Sequence, residues 1–249
     1  MSAAADSGLA ERRPLSEMER VMDTFTAPSK TFTDIKRSAN WLVPWLLMSI
    51  VGLAMVFTVD KKLGMDTAYE NQLRLSPKQM DKIDSLPADQ KANAMKIGTN
   101  ITRDFAYGSP LLILVFVAII AGVLMATFNF GLGAEVKFMQ AMAVSMYAFL
   151  PGMLRSLIAI AVVSAGGAEG FTFQNPVASN LGALVDPNSS HFLYSILSSI
   201  DIINIWILVL TGIGYSCITR VKRGTCMGVV FGWWAVVSLV GAGLGALFA

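Results

Sequence analysis

Arg155 and Asp201 are the only charged side chains set well inside long apolar segments of this chain. A charge at mid-bilayer costs roughly 2.5–3.5 kcal/mol on insertion scales, so such residues pair with one another or face water. Counting along the segments puts Arg155 about ten residues, or ~15 Å, from the outer end of its segment at 1.5 Å per residue. Asp201 sits at a comparable depth in the next segment, so antiparallel neighbours can bring the two together. Two readings stay open. One is a polar site for an ion, a proton or an anionic headgroup; the other is an ion pair that fixes helix packing.

Other candidates for chemistry are sparse. Arg220, Lys222 and Arg223 form a short basic turn suited to contacts at the inner face. Asn129, Gln140, Asn204 and Tyr215 stand near or within apolar segments, where interhelical hydrogen bonds are ordinary. His191 is the single histidine, which argues against a metal site. There is no His-Glu-x-x-His, no Gly-x-Ser-x-Gly and no Gly-rich loop ending in Gly-Lys-Ser/Thr. A lone membrane aspartate cannot form an aspartyl dyad. The expectation is a protein with no catalytic residue, no cofactor and no metal.

The elements that must position these residues follow from the charge pattern. Of 249 residues 54% are hydrophobic and only 14% charged, with a mean hydropathy of +0.58, where soluble domains carry about 25% charged residues. Charge-free runs cover 38–59, 105–134, 138–154, 202–219 and 224–249. Each approaches or exceeds the ~20 apolar residues that cross a hydrocarbon core. Disorder is excluded by that apolar content. The formal net charge of +2 argues against nucleic acid. The pattern predicts an all-α membrane protein, a bundle of five transmembrane helices over about 41–59, 109–130, 138–165, 196–219 and 226–248. Five spans cannot be halved into the inverted repeat of many secondary transporters.

Around the spans, residues 1–40 form a polar region with six basic and six acidic side chains and no signal-peptide pattern. Leu15, Met18, Met22 and Phe25 place an apolar stripe on a helix; Phe32, Ile35 and Ala39 make a second after Pro28. These stripes suit either the membrane interface or packing on the protein's own inner surface. Residues 60–108 connect spans one and two with eight basic and seven acidic side chains. Ser76-Pro77 and Leu86-Pro87 read as helix starts, so a small outer helical layer is expected there. Basic residues in the short connections favour a cytoplasmic N-terminus and an outer C-terminus. Cys217 and Cys226 then fall on the reducing side as free thiols. Asn100-Ile-Thr and Asn188-Ser-Ser match the glycosylation pattern on the outer side.

Phe25-Thr-Ala-Pro-Ser-Lys-Thr-Phe32 before the first span, Ala148-Phe-Leu-Pro151 in the third, and Asp201 with Trp206 and Gly212 in the fourth form a recognisable order. With the basic turn Arg220–Arg223 and Gly232-Trp-Trp in the fifth, the chain resembles the Yip family of Ypt/Rab-interacting membrane proteins over about residues 25–245. The resemblance implies a five-span bundle with a cytoplasmic N-terminus and without known enzymatic chemistry. Eukaryotic members act in early secretory membranes as partners of Rab GTPases and of one another. This chain lacks their N-terminal Asp-Leu-Tyr/Trp-Gly-Pro segment, and its first outer connection is long. The long connection looks more like the bacterial branch, whose function is undetermined, so Rab binding is not carried over and a bacterial inner membrane is the expected home.

Two functions then compete. The first is a non-enzymatic scaffold that organises partners or bilayer shape through residues 1–40 and the basic turn. The second is a small transporter, channel or lipid-handling protein using Arg155 and Asp201. The expected partners are the lipid bilayer and a protein or second copy met through membrane helices. Gly228, Gly232, Gly241, Gly243 and Gly245 suit such close helix contact.

Overall fold

Ser16 and Glu19 close a capping box. The Ser16 hydroxyl accepts from the Glu19 amide at 3.2 Å, and the Glu19 carboxylate accepts from the Ser16 amide at 2.7 Å, satisfying two of the amide donors a helix start leaves open. This starts α1 (Glu17–Thr26) in the computed structural model of the chain, which describes residues 13–167, 170–186 and 190–248. Asn188 lies outside the described residues. α2 (Pro28–Asp34) follows at once, with Pro28 in its first turn, where no amide donor is needed.

The remaining helices are α3 (Leu42–Lys62), α4 (Met65–Arg74), α5 (Pro77–Asp84), α6 (Ala88–Tyr107), α7 (Ser109–Ala126), α8 (Phe138–Ala148), α9 (Gly152–Ser164), α10 (His191–Ser199), α11 (Ile202–Ile218) and α12 (Arg223–Phe248). Among the described residues no regular strand occurs. Four helical stretches are long and apolar enough to cross a membrane: Leu42–Lys62, Ser109–Gly131, Phe138–Ser164 and Arg223–Ala246. α11 is apolar but shorter, at 17 residues. Their outer faces expose Leu111, Phe116, Ile119, Val236, Val237 and Leu239, the pattern of helices apolar all round.

Two of the spans read as continuous in the sequence are broken. The third divides at Phe149–Pro151, because proline has no amide to donate and its ring displaces the carbonyl one turn back. The fourth divides at Ile200–Asp201 into α10 and α11. The gap in the backbone ladder is filled from the 170–186 connection: the Leu181 amide donates to the Ile200 carbonyl at 3.2 Å, and the Ile202 amide to the Ser179 carbonyl at 3.3 Å. A backbone leaving helical geometry inside a bundle needs such partners.

The connections gather at two ends. At one, the Ser76-Pro77 and Leu86-Pro87 signals stand at the starts of α5 and α6, and α4 packs on α6. The Asn71 side chain there donates to the Phe171 carbonyl at 3.1 Å, and Asp60 accepts from Arg103 at 3.3 Å and from the Tyr107 hydroxyl at 3.0 Å. At the other end lie α1, α2 and the turns at 131–137 and 219–222. A π turn, Thr127–Gly131, ends α7. Asn129 clasps the chain behind it, donating to the Val136 carbonyl at 3.0 Å and accepting from its amide at 2.8 Å.

The main core forms where α2, α7, α8 and α11 converge. Phe32, Ile35, Phe128, Val144, Tyr147 and Tyr215 are fully buried in it. Gly214 lets the chains close: a Cβ there would collide with Val144 Cγ1 and stand 3.2 Å from the Phe32 ring. Phe128 stacks on Tyr215 with ring centroids 4.5 Å apart.

Candidate functional site

Asp201 is the N-cap of α11, placed at the helix break and not within a continuous span. One carboxylate oxygen accepts from the Ile203 and Asn204 amides at 2.9 and 3.0 Å and from Arg155 Nη2 at 2.7 Å. The other accepts from the Ser179 hydroxyl. The cap explains why an acid stands here, since aspartate satisfies donors that a helix start leaves open. The residue is 2% exposed, so its charge depends on these partners. Arg155, one turn into α9, spends the same Nη2 on Asn204 Oδ1 at 3.1 Å, and its side chain is 26% exposed. Arg155, Asp201, Asn204 and Ser179 thus tie α9, α11 and the 170–186 connection at one point.

Asn129 is no part of this cluster; its amide is used within its own turn. His191 lies at the start of α10, near Gly245 of α12. Among the described residues no group of three or more His, Cys, Asp or Glu stands together as a metal would need. Cys217 and Cys226 are free thiols.

A second polar cluster holds α1 and α2 to the bundle, and its centre is Arg20, 1% exposed. Its guanidinium donates from Nε to Asp34 Oδ2 at 2.7 Å and from Nη1 to Glu17 Oε1 at 3.3 Å. Arg37 takes the other Asp34 oxygen at 2.6 Å. Glu17 also accepts from Asn40 at 3.1 Å and from the Tyr147 hydroxyl of α8 at 2.7 Å. The Arg20 carbonyl accepts from the Thr24 and Thr31 hydroxyls at 2.8 and 2.9 Å. Burial works against the charge on Arg20, but hydrogen bonding and attraction to Asp34, with Glu17 beside it, outweigh burial and hold the guanidinium above its ordinary pKa.

The sequence stripe on α1 is therefore not the buried face. Arg20, Val21 and Thr24 turn inward, while Met18 and Met22 are 62% and 60% exposed. Only Phe25 of the stripe reaches the bundle, edge-on to Trp206 at 5.8 Å. Apolar periodicity missed this because the docking surface offers the Tyr147 and Thr31 hydroxyls and the Asp34 carboxylate. The readable signals were the Ser16-x-x-Glu19 box and the opposite charges Arg20 and Asp34 flanking Pro28.

The basic turn divides in two. Arg223 bridges elements, donating from Nη2 to the Ser29 hydroxyl of α2 at 3.3 Å and from Nε to the Ser216 hydroxyl of α11 at 3.4 Å. Arg220 and Lys222 are exposed, and neither side chain has an ion pair among the described residues.

The Phe25–Phe32 segment, the Pro151 break, the Asp201 cap and the basic turn all lie within residues 22–244, which match the model of the Yip1 domain. The chain belongs to the Yip1 domain family. No curated protein and no solved structure matches it. In this Yip1 protein the stretch from Phe25 to Phe32 forms the corner between α1 and α2 and delivers Phe32 to the core beside Gly214. The multi-pass membrane character of the family agrees with the four long apolar helices.

Proposed function

We propose that this Yip1 protein is a non-enzymatic membrane scaffold that binds partners at the end of the bundle carrying α1, α2 and the basic turn. One observation carries the reading. The charges inside the bundle are consumed by the chain itself, whereas at this end the exposed bases without ion pairs, Lys30, Lys36, Lys137, Arg220 and Lys222, outnumber the unpaired acids Asp23 and Glu135, an excess that the near-balanced 60–108 end lacks among the described residues. Arg155 and Asp201 act here as an architectural pair, because a carboxylate already accepting four hydrogen bonds has little left to offer a passing ion.

The proposed arrangement has five spans, with α10 and α11 together as the fourth. Residues 1–40 form a cytoplasmic region and 41–249 a membrane domain whose 60–108 connection lies outside. The N-terminus is cytoplasmic, the C-terminus outside, and the membrane a bacterial inner membrane. The inner turns with Lys137, Arg220, Lys222 and Arg223 support this orientation.

The test is cysteine accessibility at 152–160 and 198–206 in intact membranes, with Cys217 and Cys226 replaced. A membrane-impermeant thiol reagent is added from each side in turn. Protection across both stretches is the expected result. Labelling along one face past Arg155 and Asp201 reveals a water route and overturns the scaffold in favour of transport.

A further inference from the structure

The end of the molecule that carries α1 and α2 has a groove of about 670 Å³. Arg13, Lys30, Lys36 and Arg37 line it, with the Ser29 and Thr33 hydroxyls between them. Its acid, Asp34, is spent on Arg20 and Arg37. Arg13 is paired with Glu19 at 2.6 Å, but Lys30 and Lys36 are exposed and have no ion pair among the described residues. The Ser29 hydroxyl accepts from Arg223, which leaves its own proton to donate. The groove therefore offers positive charge and hydroxyl donors, the complement of a phosphate.

Its flank decides what carries the phosphate. Leu15 lines the groove, and Met18 and Met22 continue from it along α1 at helical spacing, more than half exposed. A free phosphate has no use for that stripe, whereas an acyl chain does. The groove also lies against α11 and the start of α12 through the Arg223–Ser29 contact, where two apolar helices end and headgroups would lie. We propose that this groove binds the headgroup of an anionic phospholipid, with its acyl chain along Leu15, Met18 and Met22. The proposal deepens the scaffold reading by naming one partner as the anionic leaflet itself.

The test uses the full-length protein in detergent micelles, titrated with phosphatidylglycerol, with phosphatidylcholine or with inorganic phosphate. Thermal unfolding and native mass spectrometry read occupancy. Phosphatidylglycerol is expected to bind and stabilise, phosphatidylcholine and phosphate not. Lys30→Gln with Lys36→Gln is expected to weaken phosphatidylglycerol binding about thirtyfold, from the attraction of an anionic surface for each basic residue. Lys78→Gln with Lys82→Gln on α5 serves as the control and is expected to bind as the parent does. Equal stabilisation by inorganic phosphate overturns the lipid as occupant. Undiminished binding in the Lys30/Lys36 variant, or no binding by the parent, overturns the groove as the site. Neither result touches the scaffold reading, which stands or falls on accessibility around Arg155 and Asp201.

Discussion

Asp201 joins two roles that substitutions can separate. In Asp201→Asn the amide oxygen still accepts from the Ile203 and Asn204 amides, so the cap survives, because Asn caps as well as Asp. The charge facing Arg155 is what disappears. Removing one partner of a buried ion pair costs roughly 3–5 kcal/mol. Arg155 is a quarter exposed and keeps Asn204 Oδ1, which places the expected loss at the low end, about 3 kcal/mol. Asp201→Ala removes the cap as well, worth about 1 kcal/mol more. The reciprocal swap, Arg155→Asp with Asp201→Arg, restores both charges but puts an arginine, which has no acceptor, at the cap. A simple packing pair would be partly rescued by that swap; this pair is expected to be no more stable than Asp201→Ala. Denaturant unfolding of the purified proteins in micelles, followed by tryptophan fluorescence with Trp206 little more than a turn beyond the cap, reads the order. An Asp201→Asn protein as stable as the parent, or a swap that restores stability, refutes the joint assignment of pair and cap.

Arg20→Met leaves Asp34 and Glu17 without their buried partner while Arg37 still holds Asp34, so a loss of about 3 kcal/mol is expected, with new protease cleavage within residues 13–40. Gly214→Ala should cost about 1–3 kcal/mol by overpacking, seen as a lowered unfolding midpoint; adding Val144→Ala should recover part of it, since Val144 is what the new methyl meets. The Ser16 amide and then its hydroxyl, with Arg13 beyond, hold Glu19 below its usual 4.5. A carboxylate lowered on folding contributes stability that is fully present above the unfolded value and lost as pH falls through the folded one. Protease resistance of α1 should therefore decline below pH 4.5, and Glu19→Gln should lose that part of the pH dependence. Removing the Asn129 clasp with Asn129→Ala leaves the Val136 amide and carbonyl without their partner, expected at about 1–3 kcal/mol and as faster hydrogen exchange at residues 131–137.

Much of the helical pattern can be read directly, because apolar runs and proline-led starts act locally. Leu42–Lys62 and Arg223–Ala246 announce themselves by length and absence of charge, and Pro77 and Pro87 stand at the starts of α5 and α6. Depth counting brings Arg155 and Asp201 to similar levels, which is as far as counting goes. The break at Ile200–Asp201 depends on Ser179 and Leu181 supplying backbone partners from a distant connection, and no local pattern encodes that. The inward face of α1 is hidden for a related reason. Arg20 is buried because Asp34 of α2 and Tyr147 of α8 close over it and over Glu17, one turn before it on α1, while Met18 and Met22 advertise an apolar face that the bundle does not use.

Charges in this chain follow one physical rule, which also bears on what the protein is for. Both buried charges bear on points where backbone leaves a helix: Asp201 at the α10–α11 break, and Arg20, inside α1, against the half-buried Asp34 at the end of α2. Apolar packing cannot hold such points, because exposed amides and carbonyls there need partners with direction. A charged group with two or more hydrogen bonds supplies that direction and draws its counter-ion from another element, so α1 is fixed to α2 and α9 to α11. Charges used this way are complete within the fold. Bases without an ion pair among the described residues stand at both ends, but Lys61, Lys62, Lys78, Lys82 and Lys96 share theirs with the unpaired acids Asp66, Asp81, Asp89 and Asp104, whereas Lys30, Lys36, Lys137, Arg220 and Lys222 face only Asp23 and Glu135. That excess of positive charge is why partners are sought there and not among the spans.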